Sequence, residues 1–157
     1  MQKITPIKTP CIGVCSTGIG DSVCRGCKRF SHEIIDWNAY GNREKQAVIS
    51  RLQLLLAQVV RDRVVVVDAR LLLSELERQQ IAVNPLADPL CWVFDLLKAG
   101  ASQISDLSQF GCLLQRQWQE MPMTVLRDEI DADFYALSSA HYERYFMHNH
   151  NFTLGDK

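Results

Sequence analysis

Hydrophobic and polar residues alternate with a helical period over most of the chain. Between residues 43 and 62, apolar side chains recur every three or four positions, which predicts one long amphipathic helix. The apolar stripe consists of Ala47, Val48, Leu52, Leu55, Leu56 and Val59. Similar patterns and capping signals predict further helices over residues 69–80, over residues 90–99, and from about residue 124 or 131 to 147.

A run of β-branched residues interrupts this helical pattern. Residues 63–68 read Arg-Val-Val-Val-Val-Asp, which predicts a short strand with residues 81–83 as its candidate partner. The alternative is that the valines extend the long helix. Residues 105–110 are predicted to form a short helix, and residues 112–119 to continue it for a further turn or two. The predicted fold is therefore mainly α, with room for one short β-ribbon.

Four cysteines lie close together near the N-terminus: Cys11, Cys15, Cys24 and Cys27. Their spacing, C-x3-C-x8-C-x2-C, suits one metal centre with four thiolate ligands, and the turn-rich loop between the pairs would bring them together. One Zn²⁺ ion and one iron-sulfur cluster both fit this ligand set. Two disulfides, four unrelated thiols and redox-active thiols are the competing interpretations. The chain start has no apolar secretory segment that would indicate an oxidising compartment, which argues against the disulfides.

The cysteine segment predicts a small module at residues 1–41, followed by a helical domain at residues 42–157. Ser31 is a good N-cap for a short helix over residues 32–40, and Glu33 would lie in its first turn. Trp37, on the same helix, could cover the metal centre or simply anchor the core. Residues 8–30 contain few large apolar side chains, so we expect metal binding to stabilise this segment.

Composition and charge bound the possible partners. The chain has 157 residues, 47% of them apolar, and no apolar run is long enough to span a membrane, so we expect a cytoplasmic protein without a membrane partner. The formal net charge is −1, yet residues 1–45 hold seven basic and four acidic residues. These basic residues could offset thiolate charge, or could contact nucleic acid through a surface formed by Arg25, Lys28, Arg29 and Arg43.

Other reactive residues have simpler explanations. Cys91 and Cys112 have apolar neighbours, which favours buried, inert thiols. Asp68 follows the predicted strand, but no phosphate-binding loop accompanies it and it suits a helix N-cap. His148 and His150 lie on a polar tail, where solvent exposure is expected. Without a recognisable catalytic motif, the sequence predicts a protein that is not an enzyme.

The N-terminal third resembles a known family. The residues that carry the resemblance are Pro10 to Cys15, Cys24 to Arg29, Glu33, Ile34, Trp37, Glu44 and Lys45. Over roughly residues 8–55 they resemble the bacterial domain-of-unknown-function family 1289, described as predicted iron-sulfur proteins. The resemblance implies that the four cysteines are ligands and that an iron-sulfur cluster is one candidate cofactor. It implies no activity, and it leaves about a hundred residues unexplained.

Three hypotheses about function follow. The first is a non-enzymatic, metal-binding interaction or regulatory module whose partner is another protein. The second is an iron-sulfur accessory protein for electron transfer or redox sensing, since four protein ligands leave no open iron for substrate chemistry. The third is a zinc module that docks on nucleic acid. The shell around the cysteines is predicted to be short and hydrophilic, which favours zinc over a cluster.

Overall fold

The computed structural model describes the backbone of residues 7–13 and 15–153, and the side chains of these residues up to 146. Five α-helices occur in this part of the chain: α1 (Ser31–Asp36), α2 (Asn42–Arg61), α3 (Ala69–Arg78), α4 (Pro89–Gly100) and α5 (Met123–Thr153). The strands β1 (Val64–Val66) and β2 (Cys112–Leu114) form an antiparallel ribbon. The prediction of a mainly helical fold with one short ribbon is confirmed.

Two compact units divide the chain. One consists of the described residues within Met1–Leu52 and Tyr135–Lys157, and the other is Gln53–Phe134. Among the described residues, none of the helices combines the length and the apolarity that crossing a membrane requires.

N-cap residues in the sequence correctly predict where two of the helices begin. Asp68 caps α3, because its Oδ1 accepts a hydrogen bond from the backbone N–H of Leu71 at 3.0 Å. Asp88 caps α4 in the same way through the N–H of Leu90 at 2.9 Å, and Pro89 follows at the first helical position. The predicted capping role of Asp68 is therefore confirmed.

The predicted partner of the valine strand was wrong. Residues 81–83 form no strand, and β1 pairs instead with β2, in the register Val65 opposite Leu113. Residues 112–119 consequently form no α-helix: they form β2 and a 3-10 helix at Arg116–Trp118. The valines do not extend α2, which ends at Arg61. A short apolar run suits a strand or a helix equally well, and here the long-range pairing decides between them.

Gly111 joins the ribbon to the start of α3. Its carbonyl oxygen accepts hydrogen bonds from the N–H groups of Val67 at 2.8 Å and Asp68 at 3.0 Å. Its φ of +72° is left-handed, and a Cβ added here would lie 2.5 Å from the carbonyl oxygen of Asp68. Only glycine satisfies both conditions without displacing the backbone.

Apolar side chains of the second unit form its core. Helix α3 packs against α4, and α4 packs against β1. The inward face of the ribbon contributes Val64 and Cys112, each 1% exposed. The helices contribute the fully or almost fully buried Leu72, Leu76, Val93, Leu96, Leu97, Leu126 and Ile130. Each such leucine stabilises the folded state by roughly 1.5–3 kcal/mol relative to exposure in water.

Candidate metal centre

A tight turn holds the second cysteine pair. Val23 and Phe30 form an isolated antiparallel bridge, and inside it the Cys24 N–H donates to the Arg29 carbonyl oxygen at 2.9 Å. The Lys28 N–H donates back to the Cys24 carbonyl oxygen at 2.8 Å. Lys28 adopts a left-handed φ of 65°, which is unusual for a residue with a side chain and reverses the chain direction directly after Cys27.

The sulfur of Cys24 accepts several hydrogen bonds. Burial raises the pKa of this thiol, but hydrogen bonds from the backbone N–H groups of Cys27, Ser16 and Gly26, and from the Cys27 thiol, outweigh burial and lower the pKa to about 7. Backbone donors that converge on a sulfur favour the thiolate, which is the form that binds metal.

The sulfur of Cys27 has a different donor. The Arg29 Nε–H donates to it at 3.3 Å, while burial raises the pKa of the thiol and Arg29 offsets part of that increase. The exposed fractions of Cys24 and Cys27 are 1% and 8%. The turn therefore shields both sulfurs of this pair from solvent, while the groups that contact them are polar.

Two cationic residues of the turn are buried. Lys28 is 2% exposed and its ammonium donates to the Gly26 carbonyl oxygen at 3.1 Å, while Arg29 is 4% exposed. Such burial is unusual, since lysine and arginine are rarely buried, and it disfavours the predicted surface contact of these two residues with nucleic acid. Of the four residues suggested for nucleic-acid contact, only Arg25 and Arg43 lie at the surface.

The indole ring of Trp37 packs against the guanidinium of Arg29. The tryptophan is 6% exposed, and the guanidinium carbon of Arg29 lies 4.9 Å from the centre of its ring. The ammonium of Lys45, on α2, lies 5.6 Å from the same ring centre. Trp37 is thus buried, as a core anchor would be, and contacts the cysteine turn through Arg29.

Glu33 connects the cysteine turn, which ends at Phe30, to helix α2. Its carboxylate accepts the Phe30 N–H at 2.8 Å and two hydrogen bonds from the Arg51 guanidinium. Arg51 also lies over the Phe30 ring, 4.0 Å from its centre. The N-cap position is Phe30 and not Ser31, so the predicted helix start was one residue too late. No pattern in the sequence indicates the pairing of Arg51 with Glu33, because the two residues are 18 positions apart.

The first cysteine pair is placed differently. Cys11 and Cys15 are exposed; Cys11 accepts the Gly13 N–H at 3.3 Å, and Cys15 contacts the Thr17 hydroxyl at 2.9 Å. Across residues 7–13 and 15–146, the structure assembles no cluster of three or more metal-ligating side chains. It brings Cys24 and Cys27 together, and Cys11 and Cys15 lie apart from them on the preceding loop. None of the six cysteines is in a disulfide.

The remaining candidates have structural roles or are not described. Cys91 and Cys112 are buried, and burial raises the pKa of their thiols to about 12 and about 11. The prediction that both thiols are buried is confirmed, and the raised pKa disfavours the reactive thiolate. The side chains of His148 and His150 lie outside the described residues.

Comparison with known proteins adds one finding. The model of a family described as "Protein of unknown function (DUF1289)" matches residues 9–55, which agrees with the resemblance noted in the sequence and with its extent. No curated protein and no solved structure gives a significant match. The matched segment contains all four N-terminal cysteines, Arg29, Glu33, Trp37 and Arg51.

Proposed function

We propose that this chain is a metal-binding protein in which Cys11, Cys15, Cys24 and Cys27 hold one metal centre. The observation that carries the proposal is the turn at Cys24 and Cys27, which buries two sulfurs and directs backbone N–H groups at one of them. Such a turn fits half of a tetrahedral thiolate site. The loop with Cys11 and Cys15, which contains Gly13 at a φ of +88°, would supply the other half.

Charge balance supports a complete four-thiolate site. The buried side chains of Lys28 and Arg29 place two positive charges beside the turn. With four thiolates the centre carries two excess negative charges, and the buried Arg29 guanidinium, which donates to the Cys27 sulfur, would stabilise this charge.

Zinc is the metal we propose first, because it takes four thiolates in a closed structural site and stabilises a segment with little core of its own. An iron-sulfur cluster is the second candidate. The burial of Cys24 and Cys27 favours it, because clusters benefit from shelter from water.

A site closed by four protein ligands offers no open position for a substrate. We therefore propose a non-enzymatic interaction or regulatory role, with another protein as partner. Reduced, metal-bound thiols suit a reducing compartment such as the cytoplasm.

The test is to purify the full chain anaerobically without a histidine tag, and to measure metal and acid-labile sulfide together with the visible absorption spectrum. One zinc per chain without a visible band supports the structural zinc site. Iron with sulfide and a broad visible band supports the cluster and makes electron transfer or redox sensing the role to test. A chain that purifies without metal and binds neither zinc nor iron on reconstitution overturns the proposal.

A further inference from the structure

The contacts of Cys24 and Cys27 differ in kind. Cys24 receives its hydrogen bonds mainly from the backbone, from Cys27, Ser16 and Gly26. The Cys27 sulfur accepts a hydrogen bond from a side chain, the Nε–H of Arg29 at 3.3 Å, in addition to one from the Arg29 backbone N–H. A backbone donor is fixed by the fold of the turn, whereas a side-chain donor is fixed only by what holds that side chain.

Trp37 holds Arg29. The guanidinium lies over the indole at 4.9 Å, and Arg29 is 4% exposed, so few other orientations are open to it. A planar guanidinium stacks on an aromatic face while it donates within its plane, which a lysine ammonium does not do. The indole is itself buried, with Lys45 near its ring.

We infer that Arg29, oriented by Trp37, is a positioning residue that sets the direction and donor strength of the Cys27 sulfur toward the bound metal. The inference rests on the proposed metal site. A hydrogen bond to a metal-bound thiolate withdraws charge from the sulfur and makes it a weaker nucleophile. Partners that orient a metal ligand in this way typically account for about tenfold to a hundredfold in metal affinity.

The test measures each sulfur separately. The zinc-loaded full chain is treated with iodoacetamide, and the rates of alkylation at Cys27 and Cys24 are followed by peptide mass spectrometry. In Arg29→Gln we expect Cys27 to react roughly tenfold faster, the factor expected for a lost hydrogen bond to a charged acceptor, while Cys24 keeps its rate. Zinc affinity, measured by chelator competition, should fall by about tenfold or more. In Trp37→Leu the same pattern should occur, although Trp37 donates nothing to the sulfur.

Arg25→Gln is the matched control. Arg25 lies between the same two cysteines and over an aromatic ring, 4.9 Å from the centre of Tyr135, but its side chain is 67% exposed and bonds Asp21. It should leave both rates unchanged. Arg29→Lys keeps the buried charge in case Arg29→Gln fails to fold, and it should still accelerate alkylation of Cys27.

Each outcome has one meaning. Equal acceleration at Cys24 and Cys27 indicates a loosened turn and overturns the positioning role, as does a wild-type Cys27 rate in Arg29→Gln or Arg29→Lys. If wild-type protein binds metal and only these variant results fail, the proposed function stands without this inference. If wild-type protein binds neither zinc nor iron, both fail.

Discussion

The guanidinium of Arg51 donates two hydrogen bonds to the carboxylate of Glu33, at 2.6 Å each. The pair is mostly buried, with side-chain exposures of 23% for Arg51 and 6% for Glu33. It connects the first turn of α1 to the middle of α2 within one unit of the chain. Because the same carboxylate accepts the Phe30 N–H, the pair also fixes the end of the cysteine turn.

Removing Arg51 should destabilise the protein. Arg51→Met leaves the Glu33 carboxylate buried without its main partner, and we expect the free energy of unfolding in urea to fall by about 2 kcal/mol. Fully buried pairs lose roughly 3–5 kcal/mol, and water can reach part of this one. Arg78→Met is the control, because the Arg78 and Glu75 pair is a surface pair on one helix and should contribute little. Equal losses in both variants would show that the Glu33 pair has no special role.

Gly111→Ala should destabilise the second unit by about 2–4 kcal/mol. The left-handed φ disfavours alanine, and its Cβ would overlap the Asp68 carbonyl oxygen. Gly20→Ala separates the two effects, because Gly20 also has a positive φ, +103°, but open space around it. Thermal unfolding of the two variants should therefore show a clearly larger loss at Gly111. A loss at Gly111 no larger than that at Gly20 would mean that the close approach relaxes at no cost.

Asp95 predicts a pH dependence of stability. Burial raises the pKa of this carboxyl above its ordinary 3.8, with Lys98 offsetting part of the increase. The folded state thus favours the protonated form, and stability declines as pH rises through the raised pKa. Asp95→Asn should have a higher melting temperature than wild type at pH 7, and the difference should vanish below about pH 3.5.

Asp106 predicts a pH dependence of stability with the opposite sign. A hydrogen bond from the Ser108 backbone N–H lowers the pKa of its carboxyl. Its contribution to stability is present above the ordinary pKa and is lost as pH falls, so Asp106→Asn should lower the melting temperature at pH 7. If Asp95→Asn also lowers the melting temperature at pH 7, the burial argument for Asp95 fails; if Asp106→Asn raises it, the hydrogen-bond argument for Asp106 fails.

Cys24→Ser and Cys27→Ser should each reduce metal content well below one per chain. The proposed function has metal binding stabilise the cysteine segment, so amide hydrogen exchange should accelerate over residues 15–40 while α3 and α4 stay protected. Cys91→Ser is the control, since the Cys91 thiol is buried with its pKa raised to about 12, and it should keep its metal. Unchanged exchange in a metal-free Cys24→Ser protein would refute the structural role of the metal.

The features that the sequence predicted correctly are those with local causes. Asp68 and Asp88 mark helix starts because a cap depends on bonds within three residues, and the stripe in α2 depends on spacing alone. The pairing of β1 with β2 was missed because it joins segments almost fifty residues apart, and no local pattern identifies Leu113 as the neighbour of Val65. The four cysteines were evident from their spacing, and that they form one site stays a prediction. The burial of Lys28 and Arg29 was not evident, because their charge predicts exposure until the turn is known.

The contacts of Trp37 should make its fluorescence sensitive to the cysteine turn. Of the three tryptophans, it is the one in the unit that contains the cysteine turn, while Trp92 and Trp118 lie in the other unit. Indole emission responds to nearby charge, and the Trp37 ring has Arg29 and Lys45 within 6 Å. A variant with Trp92→Phe and Trp118→Phe would therefore carry a single native fluorophore whose intensity and wavelength report on the cysteine turn without any attached label.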